Sequence, residues 1–225
     1  MSKAVQGDLS AHYVLGNNIN ASETETWNSG AGFTPIGNGV EFSGDFDGQG
    51  YSVDGLYINR PNTNGVGLFG GISSSDIKNI GVTNIDIQGG YNVGGLVGFT
   101  LDGANIMKSY SSGAVSGNDS VGGLVGVNTN KIIEKSYTNS NVSGDDQVGG
   151  LVGENRYLGY IKTSYSLGSV TGNTNVGGLV GDNIATVKDS SYWNIETSNQ
   201  STSAGSATGL TTAEVVSRQI TLNSL

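Results

Sequence analysis

Cysteine is absent from the 225-residue sequence, which removes disulfides, thiol catalysis and thiolate metal sites together. The same absence suits an exported chain that must stay unfolded in transit, and it suits a cytosolic one equally. Histidine occurs once, as His12, so a histidine triad or a zinc cluster has almost no material. Proline occurs only twice, and charged residues make up 13% of the chain. Lysine and arginine number 10 against 19 aspartates and glutamates, and the resulting charge of −9 opposes nucleic acid and anionic membrane as partners. No apolar run approaches a membrane span, so membrane insertion is not expected. Met1-Ser-Lys-Ala-Val5 leads into polar sequence without the apolar core of a signal peptide. Either the sequence is a piece of a longer exported chain, the preferred expectation, or its export information has been removed.

Glycine is abundant, at 38 residues, and with so little charge or proline the composition suggests disorder until its order is noticed. Val93-Gly-Gly-Leu-Val-Gly98 returns as Val121-Gly-Gly-Leu-Val-Gly126, Val148-Gly-Gly-Leu-Val-Gly153 and Val176-Gly-Gly-Leu-Val-Gly181, after a looser copy, Val66-Gly-Leu-Phe-Gly70. The valine-to-valine steps are 27, 28, 27 and 28 residues, a period that marks stacked supersecondary units. Each unit reads as a Val-Gly-Gly-Leu-Val-Gly strand, a polar corner, a strand near Ile106, Ile133 or Ile161 leading to Ser-Tyr, and a strand around a valine closed by glycine. Aligned units give further columns: Tyr110, Tyr137, Tyr165 and Tyr192; Ile87, Val115, Val142 and Val170; Gly89, Gly117, Gly144 and Gly172. Parallel strands of successive coils lie about 4.8 Å apart, so like residues stack on like and bury a column that one coil could not. The expected fold is an all-β parallel β-helix, a β-solenoid of about 27–28 residues per coil with a short C-terminal capping helix. It divides into an N-terminal cap and first coils (1–65), repeats (66–192), and a C-terminal loop and helix (193–225), all in one continuous domain. Glycines break the alternation, so whether Leu96 or Val97 points inward stays open.

Outside the repeats, residues 11–21 alternate apolar Tyr13, Leu15 and Ile19 and read as strand and turn. Residues 51–58 read as two strands with a tight corner at Gly55. After Tyr192-Trp-Asn-Ile-Glu196 the period stops, and residues 197–209 read as a low-complexity loop. Thr211-Thr-Ala-Glu214 matches a capping box, with Leu210 and Val215 as its hydrophobic staple, and predicts a helix to about Arg218 that covers the apolar end of the last coil.

The candidate site residues are columns rather than a cluster. Asn128, Asn155 and Asn183, with Thr100 in the equivalent place, suit a corner ladder because asparagine tolerates the left-handed conformation and bonds to its copies. The valine column Val93, Val121, Val148 and Val176 is structural. The tyrosine column is either a structural stack or an aromatic surface for sugar rings. Asp45 and Asp47 lack the further oxygen donors of a calcium loop and read as turn residues. A weak calcium role is open at the corner formed by Asn118-Asp119, Asp145-Asp146 and Asn173-Thr174; no other cofactor is expected. Threonines do not recur in register, which removes the regular array an ice- or mineral-binding face wants. Lys108 and Lys135 share a repeat position, yet isolated charges on a solvated face do not make the acid/base pair a polysaccharide lyase or hydrolase needs.

These segments resemble filamentous-haemagglutinin-like bacterial surface adhesins with GLUG repeats. The resemblance runs through Tyr13-Val-Leu-Gly-Asn-Asn-Ile-Asn20, Thr26-Trp-Asn-Ser-Gly-Ala-Gly-Phe-Thr-Pro-Ile-Gly37, Phe42-Ser-Gly-Asp-Phe-Asp-Gly-Gln-Gly50, the Gly-Gly-Leu-Val-Gly copies, Tyr192-Trp-Asn and Gly209-Leu-Thr-Thr-Ala213. It implies a right-handed parallel β-helix forming part of a secreted rod, exposed outside the cell on a bacterial cell surface, that carries adhesion and supplies no catalytic residues. The partners expected are a host or neighbouring-cell surface, glycans, or copies of the chain meeting end to end as a filament. The competing expectation is a polysaccharide-binding or polysaccharide-degrading β-helix protein.

Overall fold

The computed structural model describes residues 2–188 and 190–223. Met1, Asp189 and Ser224–Leu225, which fall within the three segments expected from sequence, lie outside the described residues.

The chain is a parallel β-solenoid with four sheets, traversed in the same order in every full coil. The first, an isoleucine sheet, stacks Tyr13–Val14, Phe46–Asp47, Asp76–Lys78, Asn105–Met107, Ile132–Glu134, Tyr160–Lys162 and Thr186–Val187. Next comes a tyrosine sheet whose long strands are Gly81–Gln88, Tyr110–Ser116 and Tyr137–Ser143. A valine sheet of Val93–Gly94, Asp119–Gly122, Asp146–Gly149 and Val176–Gly177 follows. An asparagine sheet of Phe69–Ile72, Val97–Thr100, Val125–Thr129, Val152–Arg156 and Val180–Asn183 closes the coil. Residues pair with their repeat equivalents, for example Val121 with both Val93 and Val148.

The Val-Gly-Gly-Leu-Val-Gly segment is therefore a corner between two sheets and not the single strand expected from its composition. Both Leu96 and Val97 are fully buried because the chain bends between them and each faces the core from its own side. The glycines make that bend. A Cβ on Gly94 would meet the Val97 and Leu124 carbonyl oxygens, and one on Gly122 the Val125 and Leu151 carbonyl oxygens. The second glycine answers to the opposite wall, since a Cβ on Gly123 would strike Thr138 across a narrow interior and the Gly150 carbonyl above it. The residue before each valine turns with positive φ: Gly65, Asn92, Ser120, Gln147 and Asn175 at 69°, 57°, 54°, 85° and 48°.

The core runs unbroken along the rod. Its columns are Ile77, Ile106, Ile133 and Ile161; Ile87, Val115, Val142 and Val170; and Leu68, Leu96, Leu124, Leu151 and Leu179, all buried. Each such side chain contributes roughly 1.5–3 kcal/mol when removed from water.

Tyr13–Val14 and Ile19–Asn20 already pair as strands, so the first coil begins within the segment read as strand and turn, and α1 (Ser2–Gly7) packs on it through the buried Val5. Ser52–Asp54 and Tyr57–Asn59 flank Gly55 at φ 74°, in agreement with the corner expected there.

The C-terminal stretch read as a loop is more ordered. It begins with α2 (Ile195–Ser198), capped by Asn194 Oδ1, which accepts from the Glu196 and Thr197 amides at 2.9 and 3.2 Å. It ends with the strand Thr208–Leu210, which pairs with Tyr192–Asn194. Between them the chain covers the last asparagine-sheet edge: Gly178 N donates to Thr202 O and Ala204 N to Val180 O, both at 3.0 Å. Small polar residues hid this because the contacts are made by backbone. The final helix, α3 (Thr212–Asn223), runs beyond Arg218. Its capping box is present, with Thr211 N donating to Glu214 Oε2 at 2.8 Å. Leu210 and Val215 pack on Tyr192, so α3 covers the end of the tyrosine column, while Trp193, Ala204 and Ala207 close the apolar core.

Candidate functional site: stacked side-chain ladders

The tyrosine column is a continuous stack. Ring centroids of Tyr110, Tyr137, Tyr165 and Tyr192 are 5.0, 4.9 and 5.0 Å apart, with planes within 2°, 5° and 4° of parallel. The rings consume one another's faces. Below, Gly81 lies flat against Tyr110, and a Cβ there would enter the ring. Above, Tyr192 is paired with Thr208 and has the Arg218 guanidinium 5.7 Å from its centroid. A sugar ring thus finds no tyrosine face to stack on in this column. Burial raises the pKa of Tyr137, helped by its two tyrosine neighbours, and burial raises that of Tyr192 against the opposing effect of Arg218. The Tyr192 hydroxyl is buried without a hydrogen-bond partner.

Asn128, Asn155 and Asn183 also form a ladder, but not at a left-handed corner. They occupy strands of the asparagine sheet and point inward, which corrects the conformational half of the expectation. Asn128 Nδ2 donates to Asn155 Oδ1 and Asn155 Nδ2 to Asn183 Oδ1, each at 2.8 Å, and Thr100 Oγ1 donates to Asn128 Oδ1 at 3.3 Å. The amides run in one direction along the rod because each carries a donor and an acceptor spaced to bridge one coil. The left-handed corners lie elsewhere, at Asn79, Lys108, Lys135 and Thr163 (φ 54°, 49°, 50° and 49°), so the two lysines mark a turn. In the valine column, Val93, Val121 and Val148 are fully buried and Val176 partly so; their methyl groups fill the space a Cβ on Gly117, Gly144 or Gly172 would need.

A third ladder escaped the sequence reading. Ser109, Ser136 and Ser164 each donate from Oγ to the carbonyl two residues earlier at 2.9 Å. Their hydroxyls, and that of Ser191, accept an amide from the preceding coil: Ser109 N to Ser136 Oγ at 3.2 Å, Ser136 N to Ser164 Oγ at 3.2 Å, and Ser164 N to Ser191 Oγ at 3.3 Å. The recurring Ser-Tyr dipeptide was its signal, overshadowed by the tyrosine.

Charged groups meet in pairs along the rod, and Glu196, Glu214 and Arg218 gather at its C-terminal end. Asp47 with Lys78 (3.7 Å) and Glu134 with Lys162 (3.3 Å) form pairs one coil apart on the outer surface, worth about 0–1 kcal/mol each. His12 Nδ1 lies 3.0 Å from Asp45 Oδ2 on the first coil, in solvent. Asp47 serves a turn: Asn79 Nδ2 and the Gln49 amide donate to its Oδ1 and hold its carboxyl below the usual range, Asn79 more strongly. At the acidic corner Asp145 Oδ1 accepts from Asn173 and Asp146 Oδ1 from Thr174 and Asn175. Among the described residues no three His, Cys, Asp or Glu side chains gather as a metal site. No helix there is long and apolar enough to cross a membrane.

Such a body, a regular solenoid whose recurring polar groups satisfy one another between coils, belongs to the class of stacked-repeat proteins. Comparison with known proteins is specific for the repeat: residues 89–116 match the GLUG motif. Over 126 residues, 54% of the chain, the sequence is 36% identical to halomucin of Haloquadratum walsbyi. It is 35% identical over 91 residues, 40% of the chain, to a protein of Evansella cellulosilytica assigned as a Gly-rich membrane protein, and 27% identical over 123 residues, 55% of the chain, to an immunoglobulin A1 protease of Streptococcus pneumoniae. The chain spans 1%, 9% and 6% of these relatives' lengths. A crystal structure of a candidate immunoglobulin A1 protease from Bacteroides ovatus shares the fold at TM-score 0.63 and 21% identity, over 88% of this chain and 60% of that one.

Proposed function

We propose that this chain is a non-enzymatic structural and adhesive module of an extracellular surface protein, one segment of a rod like the shaft of filamentous-haemagglutinin-like adhesins. The observation that carries the reading is where the recurring side chains are spent. Tyrosines, asparagines, serines and valines at the repeat positions bond or stack with their own copies, which stiffens a rod. Similarity to halomucin and to a Gly-rich membrane protein supports a surface location. Covered edges at the C-terminal end oppose a filament in which copies of this chain meet end to end. Light scattering with negative-stain electron microscopy tests this: short monomeric rods support the shaft, and long filaments with an axial repeat of one chain replace it with a self-assembling subunit.

Glycan binding is the second reading, favoured by one observation. Beside the tyrosine column the tyrosine sheet presents a row of exposed polar side chains, Asn139, Asn141 and Ser143, with Thr171 one coil above Ser143 and Gln88 two coils below it. Recognition there would be by hydrogen bonds along the strand, and a glycan array decides it. On the same face Asp86 stands in register with Ala114 and Asn141; degradation of a polysaccharide would need it to act with a second acid/base group.

A further inference from the structure

A cavity of about 110 Å³ opens at the first coil. It exists because Ser22–Gly30 forms 3-10 turns where later coils continue into strand. Between the turns Trp27 is extended, and Asn28 and Ser29 follow with φ 51° and 57°. Asn28 Nδ2 fixes this return by donating to Gly32 O at 2.7 Å. Trp27 and Phe33 line the cavity with ring centroids 6.4 Å apart, over a floor of Val53, Leu56 and Leu68. Glu23 lines it too, and its carboxylate has no hydrogen bond or ion pair among the described residues. Arg60 does not line it, being engaged by the Phe33 carbonyl at 2.9 Å.

We propose that this cavity binds a small alkylammonium cation, a trimethylammonium head in particular. Aromatic rings present a negative face to a cation, an apolar floor suits its methyl groups, and the Glu23 carboxylate supplies the counter-charge; a trimethylammonium head has no N–H donors whose hydrogen bonds to water would be lost on entry. The setting reinforces the sign of the ligand: the adjoining depression carries Glu25 and Asp86, and the chain's net charge is −9. For the same reason choline is preferred to phosphocholine, whose phosphate would face these carboxylates.

Calorimetric titration of the full chain tests the assignment, with choline, phosphocholine and 3,3-dimethylbutanol, the neutral carbon isostere of choline, as probes. Trp27 is 41% exposed while Trp193 is buried at the opposite end, so tryptophan emission gives a second, local readout. Choline is expected to bind saturably, with the isostere weaker by about tenfold and E23Q weaker by about threefold. W27L keeps apolar volume but loses the ring, and is expected to lose most choline binding with an unchanged circular dichroism spectrum. Equal binding of the isostere, unchanged affinity in E23Q and W27L, or no saturable binding of choline overturns the proposal.

Discussion

Asn128 Nδ2 donates to Asn155 Oδ1 at 2.8 Å between two side chains that are both fully buried, one coil apart. Asn155 passes the relationship on to Asn183. Replacing Asn155 with leucine therefore strands a donor below and an acceptor above in the interior. The expected loss is about 2–4 kcal/mol, read as a lower urea midpoint. Asn155→Asp should cost more at neutral pH, because it buries a charge with no cation beside it.

Glycines in the corner are predicted to differ sharply from glycines outside it. Gly122→Ala places a Cβ against the Val125 and Leu151 carbonyl oxygens, whereas Gly16→Ala meets nothing within 4 Å. Gly122→Ala should destabilise by more than about 3 kcal/mol and Gly16→Ala by less than about 0.5 kcal/mol. Thermal melts of the two variants check this, and equal melting points would refute the corner geometry.

Alkali should attack the tyrosine column. Tyr137 and Tyr192 have pKa values raised by burial, so the folded chain holds these protons more tightly than the unfolded chain. Their contribution to stability is fully present below the unfolded value of about 10 and is lost as pH rises through the raised folded values. Spectroscopic titration of phenolate should show late ionisation coinciding with loss of the β signal. Tyr192→Phe removes a buried hydroxyl without a partner and should be neutral or stabilising by up to about 1 kcal/mol.

Deleting residues 199–225 uncovers the edge that residues 202–204 cover through the Gly178 and Ala204 amides. Unpaired strand edges recruit other chains. The truncated protein should associate in a concentration-dependent way by light scattering while the full chain does not; a monomeric truncation would show that this cover is dispensable.

Much of the architecture was legible because a stacked repeat writes its contacts into its period. Tyr110, Tyr137 and Tyr165 recur at the same position and therefore had to lie over one another once the coils were parallel. Ser109 and Ser136 recur just as regularly, but a serine is compatible with many environments, so recurrence alone did not reveal its bonding. The candidate cation site was invisible for the opposite reason: Glu23, Trp27 and Phe33 belong to a segment that occurs once, and only its folded path brings them around one cavity.

Period, composition and the capping box determined by themselves that this chain is a parallel solenoid with stacked columns and a C-terminal helix, because those features depend on what repeats and on local hydrogen bonding. The tertiary structure alone decided where the coil bends and which groups close its end. Leu96 and Val97 are adjacent in sequence and both buried, an arrangement that alternation along one strand forbids and a glycine corner between two sheets allows. The backbone of residues 202–204 found its edge by position in space, since an amide and a carbonyl carry no side-chain signature of their partner.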